Sequence, residues 1–259
     1  MLLVMDIGNT NITLGCYADG ALLFTSRVYS DKHRTADEYA TMLMDIFHLH
    51  AVRGVDFRGA ILSSVVPELT DLLFHAVKPV LGKAPLIVGE DVHDGFACDI
   101  LPVGEIGADL IVDTVAAAKK YPLPCVVADL GTATKLIAID KNGKFLGCTI
   151  APGVKISLDA LAAGTALLPA ISFTMPEHAI GTNTIECMRS GSVFGTAAML
   201  DGMVDRITEE MGEENVSLVA TGGLGGGIVP CCKKAFQYDR HLLLDGLKMI
   251  YEAHTARKQ

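Results

Sequence analysis

The 259-residue chain predicts an α/β protein made of two related halves, each a mixed βββαβαβ sheet flanked by helices. Three observations predict it. Short apolar runs bounded by Gly, Asn and Asp come in threes at residues 2–29 and again at 125–153. Helical and strand patterns alternate after the first triplet. The first run of each triplet also ends alike, since "VMDIGNTNIT" and "VADLGTATKL" align Asp6 with Asp129 and Gly8 with Gly131. A pattern that restarts implies duplication, with a first domain over 1–118 and a second over 119–259.

In chain order, "LLVMDIGN", "ITLGCYA" and "ALLFTSRVY" read as three strands of an antiparallel meander. A helix follows over "TADEYATMLMDIFHLHA", opened by Thr35, with acidic residues in its first turn and an apolar stripe of Tyr39, Leu43 and Ile46 or Phe47. "GAILSSVV" reads as a buried strand, "PELTDLLFHAVKPVL" as a helix with Pro67 near its start, and "APLIVG" as another strand. "GADLIVDTVAAAKKY" is helical. The second half gives three strands over "CVVADLGTATKLIAIDKNGKFLGCTIAPG", helices over "ISLDALAAGTALL", "TIECMRSGSVFGTAAMLDGMVDRITEEM" and "LLLDGLKMIYEAH", and a strand at "VSLVATGG".

Composition excludes several classes. A formal net charge of −9 argues against a nucleic-acid surface, which needs clustered Lys and Arg. Seven Cys, an odd number without CxxC spacing, suit reduced thiols better than a disulfide framework or a zinc site. The N-terminal apolar run is too short for a signal peptide, and no later run approaches a membrane span. A cytoplasmic protein without membrane contact is expected. The eight His show no metal-binding spacing and read as surface residues.

The chemistry is expected in the Gly-containing turns. A Gly beside a strand end lets the backbone approach a ligand, and Thr or Asn adds donors without bulk, so such a turn can cradle phosphate oxygens. A carboxylate there cannot face phosphate directly; its natural partner is a cation or water that also touches the phosphate. Alone, the same residues would serve a hairpin turn closed by an Asx hydrogen bond. Two such turns in duplicated halves would grip phosphates from both sides of a cleft, and "ATGGLGGG" at 220–227 suits a flat adenosine. Neither a GxxxxGK[ST] loop nor an early GxGxxG is present.

Together "DIGNTNITLG", "RTADEY", "LSSVVPELT", "GAD" at 107–109, "DLGTAT", "IAPG", "GTNT", "DGMVDRI", "VATGGL" and "LLLDGLKMIYE" resemble, in order and spacing, the type III pantothenate kinases. The resemblance covers nearly the whole chain. It implies duplicated ribonuclease H-like domains of the actin-like ATPase kind, with the active site in the cleft between them. It also implies ATP-dependent phosphorylation of pantothenate at the first step towards coenzyme A. By the same resemblance Asp6, Ile7, Gly8, Asn9, Thr10, Asn11, Ile12, Thr13 and Thr132 lie on ATP, which brings Mg2+ or a similar divalent cation. Asp129 holds a monovalent cation, K+ or NH4+. Asp109 accepts the proton of the substrate hydroxyl, and Gly107, Ala108, Asp109, Leu110, Ile100 and Thr184 contact pantothenate. A homodimer is implied as well. From the residues alone, Asp109 also fits the N-cap of its helix.

Departures from the family pattern cluster around the acceptor. Leu110 stands in place of an Arg, Ile100 in place of a substrate-binding Tyr, Lys135 in place of a Thr, Cys148 in place of a Gly and Asp113 in place of an Asn. Each lost hydrogen bond to a charged group is worth roughly 1.5–3 kcal/mol. Lys135 reads either as a replacement positive charge or as an ordinary solvated lysine. Two alternatives therefore accompany the kinase reading: a diverged relative that phosphorylates another small alcohol, and a nucleotide-binding regulatory protein with weak catalysis.

Overall fold

A computed structural model describes residues 1–258. The chain divides into two compact units, one comprising Met1–Ala116 with the C-terminal helix, the other Ala117–His241.

In the first unit, strands β1 (Leu2–Ile7), β2 (Asn11–Ala18) and β3 (Ala21–Tyr29) form the expected meander. Helix α1 (Ala36–Leu49), strand β4 (Gly59–Ser64), helix α2 (Pro67–Leu81) and the short strand β5 (Leu86–Ile87) follow. The sheet order is β3-β2-β1-β4-β5, antiparallel through the meander and parallel from β1 to β5. Thr35 caps α1 as its residue type dictates: its hydroxyl accepts from the Glu38 N–H, and Glu38 accepts from the Thr35 N–H at 2.7 Å. One sheet face packs Leu3, Met5, Ile7, Ile12 and Leu14 against Tyr39, Leu43, Leu69 and Leu73 of α1 and α2.

The opposite face explains why "LLVM" does not alternate with polar residues. Leu2 and Val4 are also fully buried, as in a sheet covered on both sides. Part of that cover is the C-terminal helix. In the second unit, strands β6 (Cys125–Leu130), β7 (Ala133–Ile139) and β8 (Phe145–Pro152) repeat the meander, joined by β9 (Ser217–Thr221) and the short β10 (Gln237–Tyr238) in the order β8-β7-β6-β9-β10. The strand order is that of the first unit, so the duplication is a topological fact. Helices α4 (Val154–Gly164) and α5 (Thr184–Met211) cover one face through Val154, Leu158, Met188 and Val204; the short α6 (Gly225–Ile228) adds Ile228. Met199 and Met203 pack against this core.

Two expectations need correction, and one strand was not foreseen. The second domain was expected to run to residue 259, but the C-terminal helix α7 (Leu242–Arg257) joins the first unit. The cause is its apolar face: Leu244, Leu247, Ile250 and Tyr251 are buried, and a Cβ added at Gly246 would lie 2.5 Å from the Val112 carbonyl of helix α3 (Ala108–Lys120). Helix α4 stops at Gly164 and does not continue through Leu168, and β10, only two residues long, carries too little pattern to be seen in the sequence.

Candidate active site

The first hairpin turn sits between β1 and β2. Ile7 pairs with Ile12 and both are fully buried, so these two residues can offer a ligand only backbone groups. Asp6 and Thr13 pair across the strands and point away from that core, because side chains alternate along a strand. Between them the Gly8 N–H donates to the Asn11 carbonyl at 3.0 Å, and a Cβ on Gly8 would come within 3.2 Å of that oxygen. The turn is held from outside by Ser30: its hydroxyl donates to the Gly8 carbonyl at 2.6 Å, and its N–H to the Thr10 carbonyl at 3.0 Å. Ser30 carries no sequence signal, since a lone Ser at a strand end looks like any other.

The second unit repeats the arrangement. Asp129 ends β6, the Gly131 N–H donates to the Ala133 carbonyl at 3.1 Å, and exposed Thr132 tops the turn. Two glycines press on this turn. A Cβ on Gly153 would lie 2.3 Å from the Thr132 carbonyl oxygen, and one on Gly222 would lie 2.5 Å from the Leu130 carbonyl oxygen. Gly222 also has φ +89, a left-handed value that favours glycine. These contacts give the Gly of "IAPG" and the first Gly of "GGLGGG" a role as walls of the hairpin.

At Asp129 the two hairpins differ. Opposite it, where the first hairpin has Thr13, stands Lys135, whose Nζ lies 2.6 Å from Asp129 Oδ2 with each side chain only 11% exposed. The solvated-lysine reading is thereby corrected: Lys135 is a nearly buried ion-pair partner. The residues do not fit the monovalent cation implied at Asp129, because an ammonium already contacts the carboxylate that would hold it. Among the described residues, no group of three or more His, Cys, Asp and Glu side chains could hold a metal ion by itself. A divalent cation would fit at Asp6 only in company with phosphate oxygens, as Mg2+ commonly does.

Asp109 lies inside the first turn of α3, which begins at Ala108, so it is not ahead of the helix as an N-cap would be. Its Oδ1 accepts from the Leu110 N–H at 2.9 Å, and a Cβ on Gly107 would crowd the same oxygen at 2.8 Å. The GAD sequence thus leaves the carboxylate partly exposed and fixed in direction. Ala108 and Leu110 are buried, each 8% exposed, whereas Ile100 is 55% exposed in the segment before α3. An isobutyl group at 110 therefore points into packing and offers a ligand no polar contact.

In the second unit Thr184 opens α5 directly after its N-cap, Asn183, whose side chain accepts from the Glu186 N–H at 3.1 Å. Glu186 reaches back to the Thr182 N–H at 2.9 Å and hydroxyl at 2.8 Å. This capped helix start borders a pocket of about 840 Å³ lined by Leu161, Leu168, Thr184, Gly191, Ser192 and Met199 among others. Its size is ordinary for a small-molecule site.

A sequence model described as type III pantothenate kinase matches residues 2–206. A type III pantothenate kinase of Moorella thermoacetica is 41% identical over 98% of this chain and all of its own length. One from Finegoldia magna is 41% identical over 96% of both chains. Among solved structures, the activator of 2-hydroxyisocaproyl-CoA dehydratase from Clostridium difficile with bound ADPNP aligns at TM-score 0.59 and 14% identity, covering 99% of this chain and 97% of its own. MreB 5 of Spiroplasma citri bound to AMPPNP aligns at TM-score 0.56 and 10% identity, over 99% and 97%. At such identities these two show the shared actin-like ATPase fold.

Proposed function

The chain belongs to the type III pantothenate kinase family, and on that premise we propose that Asp109 is the catalytic base of its phosphoryl transfer. The activity is ATP-dependent phosphorylation of pantothenate to 4′-phosphopantothenate in coenzyme A biosynthesis. The substrate hydroxyl oxygen attacks the γ-phosphorus as the bond to the ADP oxygen breaks, and its proton passes to the Asp109 carboxylate. The turn backbone from Gly8 to Asn11, with Thr13 and Thr132, donates to the ATP phosphates, and Asp6 would hold water or a divalent cation brought by ATP. That cation, when bound, neutralises charge on the phosphates. Thr184, Gly107 and Ala108 position pantothenate. The protein is read as cytoplasmic and homodimeric; among the described residues no helix is long and apolar enough to cross a membrane.

One observation carries the assignment: Asp109 is the carboxylate whose direction is set by its neighbouring N–H and by the space that Gly107 leaves. Asp109→Asn should lower kcat by about 10²–10⁴-fold, with ATP-analogue affinity and folding retained. Full activity in that variant removes Asp109 from the chemistry, and folded wild type without any pantothenate-dependent ADP release refutes the substrate.

Buried Leu110 and exposed Ile100 favour a second reading, in which the acceptor is another small alcohol that does not need Arg at 110. A thermal-shift screen of hydroxy acids, sugars and nucleosides decides, because a true substrate raises Tm by mass action. The largest shift from pantothenate would dismiss the alternative.

A further inference from the structure

We infer that the Lys135 ammonium permanently occupies the cation position of the second hairpin, so that nucleotide binding and turnover in this chain require no added monovalent cation. The inference rests on the kinase reading for turnover and for a cation at Asp129, and on geometry for the group that occupies that position.

The two hairpins provide the comparison. In the first, the strand-end carboxylate Asp6 faces the neutral hydroxyl of Thr13; in the second, Asp129 faces Lys135 in the same cross-strand relation. Residue 135 lies within β7, paired with β6 on one side and β8 on the other, so the lysine stem starts from a fixed backbone. Its Nζ reaches Asp129 Oδ2 at 2.6 Å, with both side chains nearly buried. The other oxygen, Oδ1, is bordered by backbone: a Cβ on Gly222 would lie 2.7 Å from it and one on Gly131 3.6 Å. A monovalent ion placed on this carboxylate would meet a like charge in a poorly solvated site, where repulsion is strong. An alkylammonium carries the same single charge as K+ or NH4+. It also donates hydrogen bonds as NH4+ does, and it cannot diffuse away.

The test uses the intact protein in K+-containing and choline-containing buffers of equal ionic strength. In wild type, affinity for a non-hydrolysable ATP analogue, Tm and pantothenate-dependent turnover should agree between buffers within about twofold for the first and third, with no shift in Tm beyond the choline control. Lys135→Thr should lose stability in choline and regain it on titration with K+ or NH4+, because those ions then neutralise Asp129 and stabilise the fold by mass action. Wild-type analogue affinity or turnover raised more than about threefold by K+ would overturn the inference, as would a folded Lys135→Thr protein whose Tm ignores K+. Cation-indifferent nucleotide binding without pantothenate turnover would refute the acceptor while supporting the built-in cation. If Lys135→Thr does not fold, the wild-type comparison decides alone.

Discussion

Asp109, Asp129 and the cysteines show how much of the chemistry is set by each side chain's immediate surroundings. Asp109 stays partly exposed beside a glycine, whereas Asp129 is nearly buried and paired with Lys135. The thiols divide in the same way. Burial pushes the Cys16 thiol up to about 11 and that of Cys125 up to about 12, while Cys148 and Cys187 are exposed. Since the thiolate is the nucleophile, iodoacetamide near pH 8 should label Cys148 and Cys187 first, with Cys16 and Cys125 reacting only after unfolding. Peptide mapping by mass spectrometry checks the order, and early labelling of Cys125 would contradict the burial argument. None of this ordering is legible in the sequence, where all seven cysteines look alike.

The longer strands and helices were the most legible level, because they announce themselves by local pattern. The triplets of strands, the capping Thr35 and Pro67 at the start of α2 all lie where periodicity and turn chemistry put them. What the elements do to one another was not legible. Gly153 appears in the sequence only as the last residue of the motif "IAPG", yet its backbone abuts the Thr132 carbonyl. Gly153→Ala must displace that turn, since the colliding atom is backbone. We expect weaker ATP-analogue binding by about tenfold or more, with the strands of the first unit unchanged; calorimetry measures the first and hydrogen exchange the second. The end of β10 gives a pH prediction. Burial opposes ionisation of Asp239, but Lys120 at 2.6 Å, Tyr121 at 2.7 Å and the His241 N–H at 3.0 Å outweigh it and hold the carboxyl below its ordinary range. A depressed folded value means that this clamp stabilises above the unfolded carboxyl value of about 3.9 and fades as pH falls through the lower folded one. Asp239→Asn should therefore be less stable than wild type at neutral pH and show a shallower loss of stability between about pH 5 and 3, read from urea midpoints. An unchanged slope would remove Asp239 from the acid response.

Over the whole chain, the decisive feature is the return of α7 to the first unit. Leu247, fully buried, lies on its packed face; Tyr17 donates to Asp245 at 2.6 Å, and Asp94 receives His254 Nδ1 at 2.9 Å and Arg257 at 2.7 Å. Leu247→Ala should cost the first unit about 2–5 kcal/mol. Hydrogen exchange in β1 and β4 measures it, with β6 and β9 as the internal reference, and equal loss in both pairs of strands would contradict the assignment of α7. The sequence by itself determined the duplicated α/β plan and the two Asp-Gly turns. It also determined the kinase family, because all three are written in local periodicity, turn residues and motif order. Tertiary structure alone decided that the last helix covers the first sheet, that Gly153 and Gly222 wall the second turn, and that Lys135 neutralises Asp129. Those relations join residues far apart in the chain or on facing strands, and they depend on which face each side chain takes and how closely two backbones approach.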